Sequence, residues 1–134
     1  MRINLDYASG TPLLPEVKAA MAAALDAWGN PSSIHQAGRE AKVALERARG
    51  QVAALLHAKP EEMYFTSCGT ESNNWALRGL LAANKRKGNH LVISAIEHPS
   101  ISLAARRLEG EGAARVTVLP VDRDGFVSPS DLKA

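Results

Sequence analysis

Met63-Tyr64-Phe65-Thr66-Ser67-Cys68-Gly69-Thr70-Glu71-Ser72-Asn73-Asn74 is the stretch that decides how this chain folds. A short apolar run passes into small polar residues, and these open a helical pattern that runs from Asn73 to Lys87. Strand, polar turn and helix start, in that order, is how α/β proteins build an anion site. The first N–H groups of a helix have no partner inside it and point at whatever lies beyond. Gly69 lets the backbone come close to a phosphate, and Thr70 adds a hydroxyl. Further on, Leu91-Val92-Ile93-Ser94 leads in the same way into Ile96-Glu97-His98-Pro99-Ser100. A phosphate cradle and an aromatic base at the ends of neighbouring strands predict a site for a phosphorylated cofactor.

The pattern extends outward from there. Tyr64-Phe65-Thr66, Leu91 to Ser94 and Val116-Thr117-Val118-Leu119 read as three strands, with helices over 73–87 and 99–108 between them. Lys85, Arg86 and Lys87 before Gly88 suit a helix C-terminus. The fold class is therefore α/β: N-terminal helices followed by a βαβαβ unit with parallel strands and right-handed crossovers. Upstream, Ile3 to Tyr7 is extended and Ala8-Ser9-Gly10-Thr11-Pro12 is a turn-rich loop. Pro15 suits a first helical position, and Val17, Met21, Leu25 and Trp28 recur at helical spacing up to the loop Gly29-Asn30-Pro31-Ser32-Ser33. A longer amphipathic helix follows, with Ala41, Leu45, Ala48, Val52 and Leu55 on one face. Residues 1–60 are thus expected to form a helical arm and interface segment, and 61–134 an incomplete parallel α/β cofactor-binding domain. Asp122 to Gly125 is a turn, and Ser128-Pro129-Ser130-Asp131 has capping-box spacing. A sequence that stops on a fresh helix start reads as the front part of something larger.

Composition narrows the function classes. The 134 residues fit one small domain, and 46% hydrophobic content is enough for a core. A formal charge of +2 is too small to argue for direct nucleic-acid binding. The single Cys68 rules out an internal disulfide framework and a multi-cysteine metal site. No helical i, i+4 pair exists among His35, His57, His90 and His98, so no metal is expected. No apolar run approaches a membrane span, and Met1-Arg2-Ile3 does not open a secretory signal. The expected location is cytoplasmic.

Four blocks resemble one family in order along the whole chain. They are Leu5-Asp6-Tyr7-Ala8-Ser9-Gly10-Thr11-Pro12, Gly29-Asn30-Pro31-Ser32-Ser33-Ile34-His35, Phe65 to Asn74, and Glu97-His98. The chain resembles the N-terminal part of the cysteine desulfurases of nitrogen fixation and iron–sulfur-cluster assembly. These are class V, fold-type I enzymes dependent on pyridoxal 5'-phosphate. The resemblance implies that Gly69 and Thr70 bind the cofactor phosphate and that His98 stacks on the pyridine ring and assists proton transfer. It places Ser9, Gly10 and Thr11 at the substrate pocket, and Asn30 and His35 near the active site and subunit interface. It implies conversion of cysteine to alanine, with sulfur passed as a persulfide to an iron–sulfur scaffold or a tRNA-thiolation protein. The family's Schiff-base lysine and persulfide cysteine lie further along. The implied partner is a complementary C-terminal chain or segment carrying both, within a homo- or hetero-oligomer. A small residue usually stands where Cys68 does, so Cys68 is not the persulfide-forming thiol.

Blander readings stand beside these. Gly69-Thr70 alone is also an ordinary helix entry, and His98 alone a loop histidine before a proline. Cys68 reads as a small buried thiol, His57 and His90 as surface residues, and the basic helix Arg39 to Arg49 as a solvated face. Another class V lyase or aminotransferase, or a non-catalytic module that keeps only the phosphate cradle, remains open at this point.

Overall fold

The computed structural model describes residues 3–133, which fall into two compact units that divide between Tyr64 and Phe65. In the first, helix α1 spans Pro15–Ala24, with Pro15 at its start and no buried residue. It stops before the predicted end. Leu25 and Ala27 donate back to Ala22 and Ala24 at 3.2 and 3.1 Å, which tightens the chain out of the helix. Leu25 and Trp28 therefore lie beyond α1, and Trp28 is 78% exposed. An unburied helix has only propensity to hold its last turn, and that is rarely enough.

Helix α2 spans Gln36–Leu55, and His35 caps it by accepting the Gly38 N–H on Nδ1 at 3.4 Å. The Asn30–Ser33 loop lies directly on this first turn. A Cβ on Gly38 would stand 2.7 Å from Ser33 Cβ and 2.8 Å from the Asn30 carbonyl, and one on Gly29 would stand 2.5 Å from the Ala37 carbonyl. Only glycine permits both approaches. The solvated-face reading of Arg39 to Arg49 needs one correction. The Arg49 side chain is only 19% exposed; it pairs with Glu46 at 3.2 Å and donates to the Met63 carbonyl. That bond ties α2 to the short 3₁₀ turn Pro60–Glu62, itself closed by the Lys59 N–H on the Glu62 carboxylate at 2.8 Å.

The second unit differs from expectation at its entry. Residues 63–66 lie outside the sheet, which among the described residues has two strands rather than three. Thr66 Oγ1 bonds the Cys68 carbonyl at 3.0 Å and Ser72 Oγ at 2.6 Å, so this segment is committed to the helix that follows. Helix α3 spans Gly69–Ala83, starting and ending four residues ahead of the predicted 73–87. Glu71 explains the early start: its carboxylate accepts both the N–H and the hydroxyl of Ser67 at 2.7 Å. Asn84 explains the early end, donating its amide to the Leu80 carbonyl at 2.9 Å while Lys87 N–H bonds Asn84 O at 2.7 Å. Lys85, Arg86 and Lys87 thus sit in the turn after α3, not in its last turn.

Strand β1 (His90–Ser94), helix α4 (Pro99–Gly110) and strand β2 (Arg115–Leu119) form a parallel βαβ unit, with Leu91 opposite Val116 and Ile93 opposite Val118. The core lies under α4. Ser100, Ala104, Ala105 and Leu108 are buried on that helix, and Ile93, Ala114 and Leu119 are buried with them. Alanines at 104 and 105 allow close helix packing, and α4 lies against α3 on one side and β2 on another. After β2, Asp122 Oδ1 closes a turn by accepting the N–H groups of Asp124 and Phe126, both at 2.9 Å. Helix α5 (Pro129–Lys133) then begins where the capping pattern put it, with Ser128 Oγ accepting the Ser130 N–H at 3.3 Å.

Candidate cofactor site

Two helix starts make the site. The first is that of α3. Cys68 is its extended N-cap residue, and the first intrahelical bond runs from Ser72 N–H to the Cys68 carbonyl at 3.1 Å. The amides of Gly69 and Thr70 precede that bond, so they face outward. No heavy atom lies within 4 Å of the position a Gly69 Cβ would take, so the chain is open beside this residue. The second start is that of α4. His98 is its N-cap, Pro99 has no N–H to offer, and Ser100 is the first residue with an amide to satisfy.

Thr70, Asn74, His98, Pro99, Ser100 and Leu103 line one groove of about 410 Å³. The side chains that meet there are tied together. Asn73 Nδ2 donates to Ser100 Oγ at 2.8 Å, and Ser100 Oγ lies 2.8 Å from His98 Nδ1. Ser94 Oγ donates to the Glu97 carboxylate at 3.0 Å, closing the loop that carries His98 from the end of β1. Asn74 donates to the Thr70 carbonyl at 3.0 Å.

Cys68 is exposed, not buried as the sequence suggested, because it caps a helix start that opens outward. Its thiol makes no capping hydrogen bond. The N–H of Glu71, the Ser67 hydroxyl and the N–H of Thr70 nonetheless favour the thiolate and lower its pKa, and the Glu71 carboxylate opposes them. Glu71 is itself held below the usual carboxylate range by the hydroxyl and N–H of Ser67. Alkylation of Cys68 should therefore show a pH midpoint below that of an ordinary thiol, with excess reactivity at neutral pH. A midpoint at or above the ordinary value, measured by iodoacetamide labelling and mass spectrometry, would contradict this.

The class-V aminotransferase family matches residues 3–134. The chain belongs to that family. Class-V members are pyridoxal-phosphate enzymes, and cysteine desulfurases are among them. A cysteine desulfurase IscS from Dictyoglomus turgidum is 48% identical over 132 residues, covering 98% of this chain and 33% of the relative. The solved structure of a NifS-like protein superposes with a TM-score of 0.90 at 33% identity, over 99% of this chain and 36% of that one. A structure of SspA in complex with cysteine follows with a TM-score of 0.84 at 34% identity, over 96% of this chain and 37% of that one. The chain spans about a third of the length of the curated relatives it matches, and that third is their N-terminal part. Among the described residues no helix is long and apolar enough to cross a membrane.

The donor set suits the phosphorylated cofactor of this class-V family: two outward amides, a hydroxyl, an open approach at Gly69, and an imidazole on the same groove. Thr70 and His98 come together, and Gly69 opens the helix that carries Thr70. Ser9, Gly10, Thr11, Asn30 and His35 lie in the first unit. There Ser9 Oγ bonds Asp6 Oδ2 at 2.5 Å, Asn30 Oδ1 accepts the Ser32 N–H at 2.9 Å, and His35 caps α2. Sequence reasoning missed Glu71, Asn73, Asn74 and Ser100. The first three stood inside the quoted block, and Ser100 stood two residues past His98, so the signal lay in adjacency alone.

Proposed function

We propose that this chain is the N-terminal third of a pyridoxal-phosphate-dependent cysteine desulfurase. The observation that carries the proposal is the shared groove: the start of α3 and the start of α4 present Thr70 and His98 to the same space. Similarity to proteins named cysteine desulfurase over nearly the whole chain, and to a structure holding cysteine, supports the substrate. Residues 61–134 supply part of the cofactor-binding domain, and 1–60 form the arm and interface segment. Ser9, Gly10 and Thr11 border the substrate pocket, and Asn30 and His35 lie at its rim or the subunit interface. The remaining part of the enzyme carries the Schiff-base lysine and the persulfide cysteine. Lys18, Lys42, Lys59, Lys85, Lys87 and Lys133 have no matching motif. Sulfur passes to an iron–sulfur scaffold or another acceptor protein, in a cytoplasmic oligomer.

Pyridoxal phosphate, when bound, supplies an electron sink for bond-breaking on the amino acid. The amides of Gly69 and Thr70 and the Thr70 hydroxyl hold the phosphate. The His98 ring would help hold the pyridine and would handle a proton at Nε2. Exposed apolar side chains on α1 and the flanking loops, among them Leu5, Leu25 and Trp28, suit burial against the rest of the enzyme.

The test compares the 134-residue chain with the complete enzyme, each given pyridoxal phosphate and cysteine. The complete enzyme should release alanine and sulfide, and the short chain should release neither, since nucleophile and lysine must be positioned together. Cofactor should also slow Cys68 alkylation in the complete enzyme, because a bound phosphate would compete for the Thr70 amide and repel a thiolate. Sulfide from the short chain, or no cofactor absorbance in the complete one, would refute the proposal.

A further inference from the structure

The three groups around His98 fix where its proton sits. A backbone N–H can only donate, and the Ser100 N–H lies 3.1 Å from His98 Nδ1. That nitrogen therefore carries a lone pair in the neutral ring. Ser100 Oγ is also 2.8 Å from Nδ1, so its hydroxyl must donate there too. Its oxygen then has only lone pairs left for Asn73, which must present its amide nitrogen, as the 2.8 Å contact from Nδ2 has it. Each assignment follows from the one before, starting from the backbone N–H, which can only donate. Ser100 is 9% exposed and so buried, and water competes little for the arrangement. Among the described residues Nε2 makes no hydrogen bond.

We infer that Asn73 and Ser100 are positioning residues that hold neutral His98 as the Nε2–H tautomer and so aim a proton donor, not a lone pair, away from α4. A proton on Nδ1 would face the Ser100 N–H and undo the helix cap. The ring is thus oriented by the same bond that starts α4. Asn73 brings α3, the helix with the phosphate amides, into register with it. In the proposed enzyme α3 and the start of α4 are joined through one serine hydroxyl. The inference deepens the cofactor role proposed for His98 and rests on it for its function, but not for its geometry.

The test is nitrogen-15 NMR on ring-labelled histidine in the complete enzyme, with and without pyridoxal phosphate, with His98 assigned by its loss in His98→Asn. The cofactor-free protein should show a pyridine-like Nδ1 and a pyrrole-like Nε2. Ser100→Ala, which keeps the backbone N–H but loses the hydroxyl, should lower the tautomer ratio about tenfold, and Ser100→Thr should restore it. Asn73→Asp should act the same way as Ser100→Ala, because a carboxylate takes the serine proton for itself. A merely structural role for Asn73 and Ser100 would leave the tautomer unmoved. An Nδ1–H ring in the unmodified protein, or a ratio indifferent to both Ser100→Ala and Asn73→Asp, overturns the inference. Failure to bind pyridoxal phosphate would refute the proposed function while leaving the tautomer result intact, so the two failures are distinguishable.

Discussion

His98→Ala in the complete enzyme is expected to lower turnover about 10²- to 10⁴-fold, the range usual for a positioned acid or base. Cofactor retention should fall much less, since the stacking proposed for His98 is one of several proposed contacts and the amides proposed for the phosphate belong to another helix. The substitution removes two things at once. It deletes a titratable ring from the groove, and it deletes the Nδ1 acceptor that caps α4. Losing a cap costs about 1 kcal/mol of helix stability. His98→Asn separates the effects, because asparagine caps well but moves no proton at neutral pH. Turnover should stay as low in His98→Asn as in His98→Ala, while thermal stability recovers. Single-turnover alanine formation and cofactor absorbance measure the two quantities. If His98→Asn restored turnover, His98 would be a cap and nothing more.

How much of this was legible in the sequence depended on where each signal lies. The βαβ unit from His90 to Leu119 was read nearly to the residue, because apolar strands alternate with a capped helix and the periodicities differ sharply. The errors fell where side chains, not periodicity, set the boundary. Glu71 reaching back to Ser67 starts α3 early, and the Asn84 amide ends it early. Neither bond leaves a trace in hydropathy. The segment 63–66 has strand composition, but a strand exists only through a ladder, and Thr66 spends its hydroxyl on the helix entry instead. Leu25 and Trp28 kept the helical spacing of α1 without any packing to hold them in it. For the site, residue types predicted Gly69, Thr70 and His98. The relay through Asn73 and Ser100 required three-dimensional adjacency between α3 and α4, which no spacing in the sequence encodes.

The steepest effect on cofactor affinity is expected at Thr70. It stands in the first turn of α3, with its amide ahead of the first intrahelical bond, and it lines the groove shared with His98. A phosphate there gains the hydroxyl as well as the amides, and a hydrogen bond to a charged acceptor contributes about 1.5–3 kcal/mol. Thr70→Ala should therefore weaken pyridoxal-phosphate binding by roughly 10- to 150-fold while leaving α3 formed, since alanine is a better helix residue than threonine. Thr70→Ser should recover most of the loss, because it returns the hydroxyl without the methyl. The amides are untouched in both variants, so weak binding should persist in Thr70→Ala and show the usual dependence on salt. Fluorescence titration of the apo-enzyme measures the constants, and adding inorganic phosphate as competitor tells which end of the cofactor is involved. Competition by phosphate should weaken in Thr70→Ala in the same proportion as cofactor binding. Equal phosphate competition in the two proteins would move the phosphate away from Thr70 and leave His98 without the neighbour that defines its role.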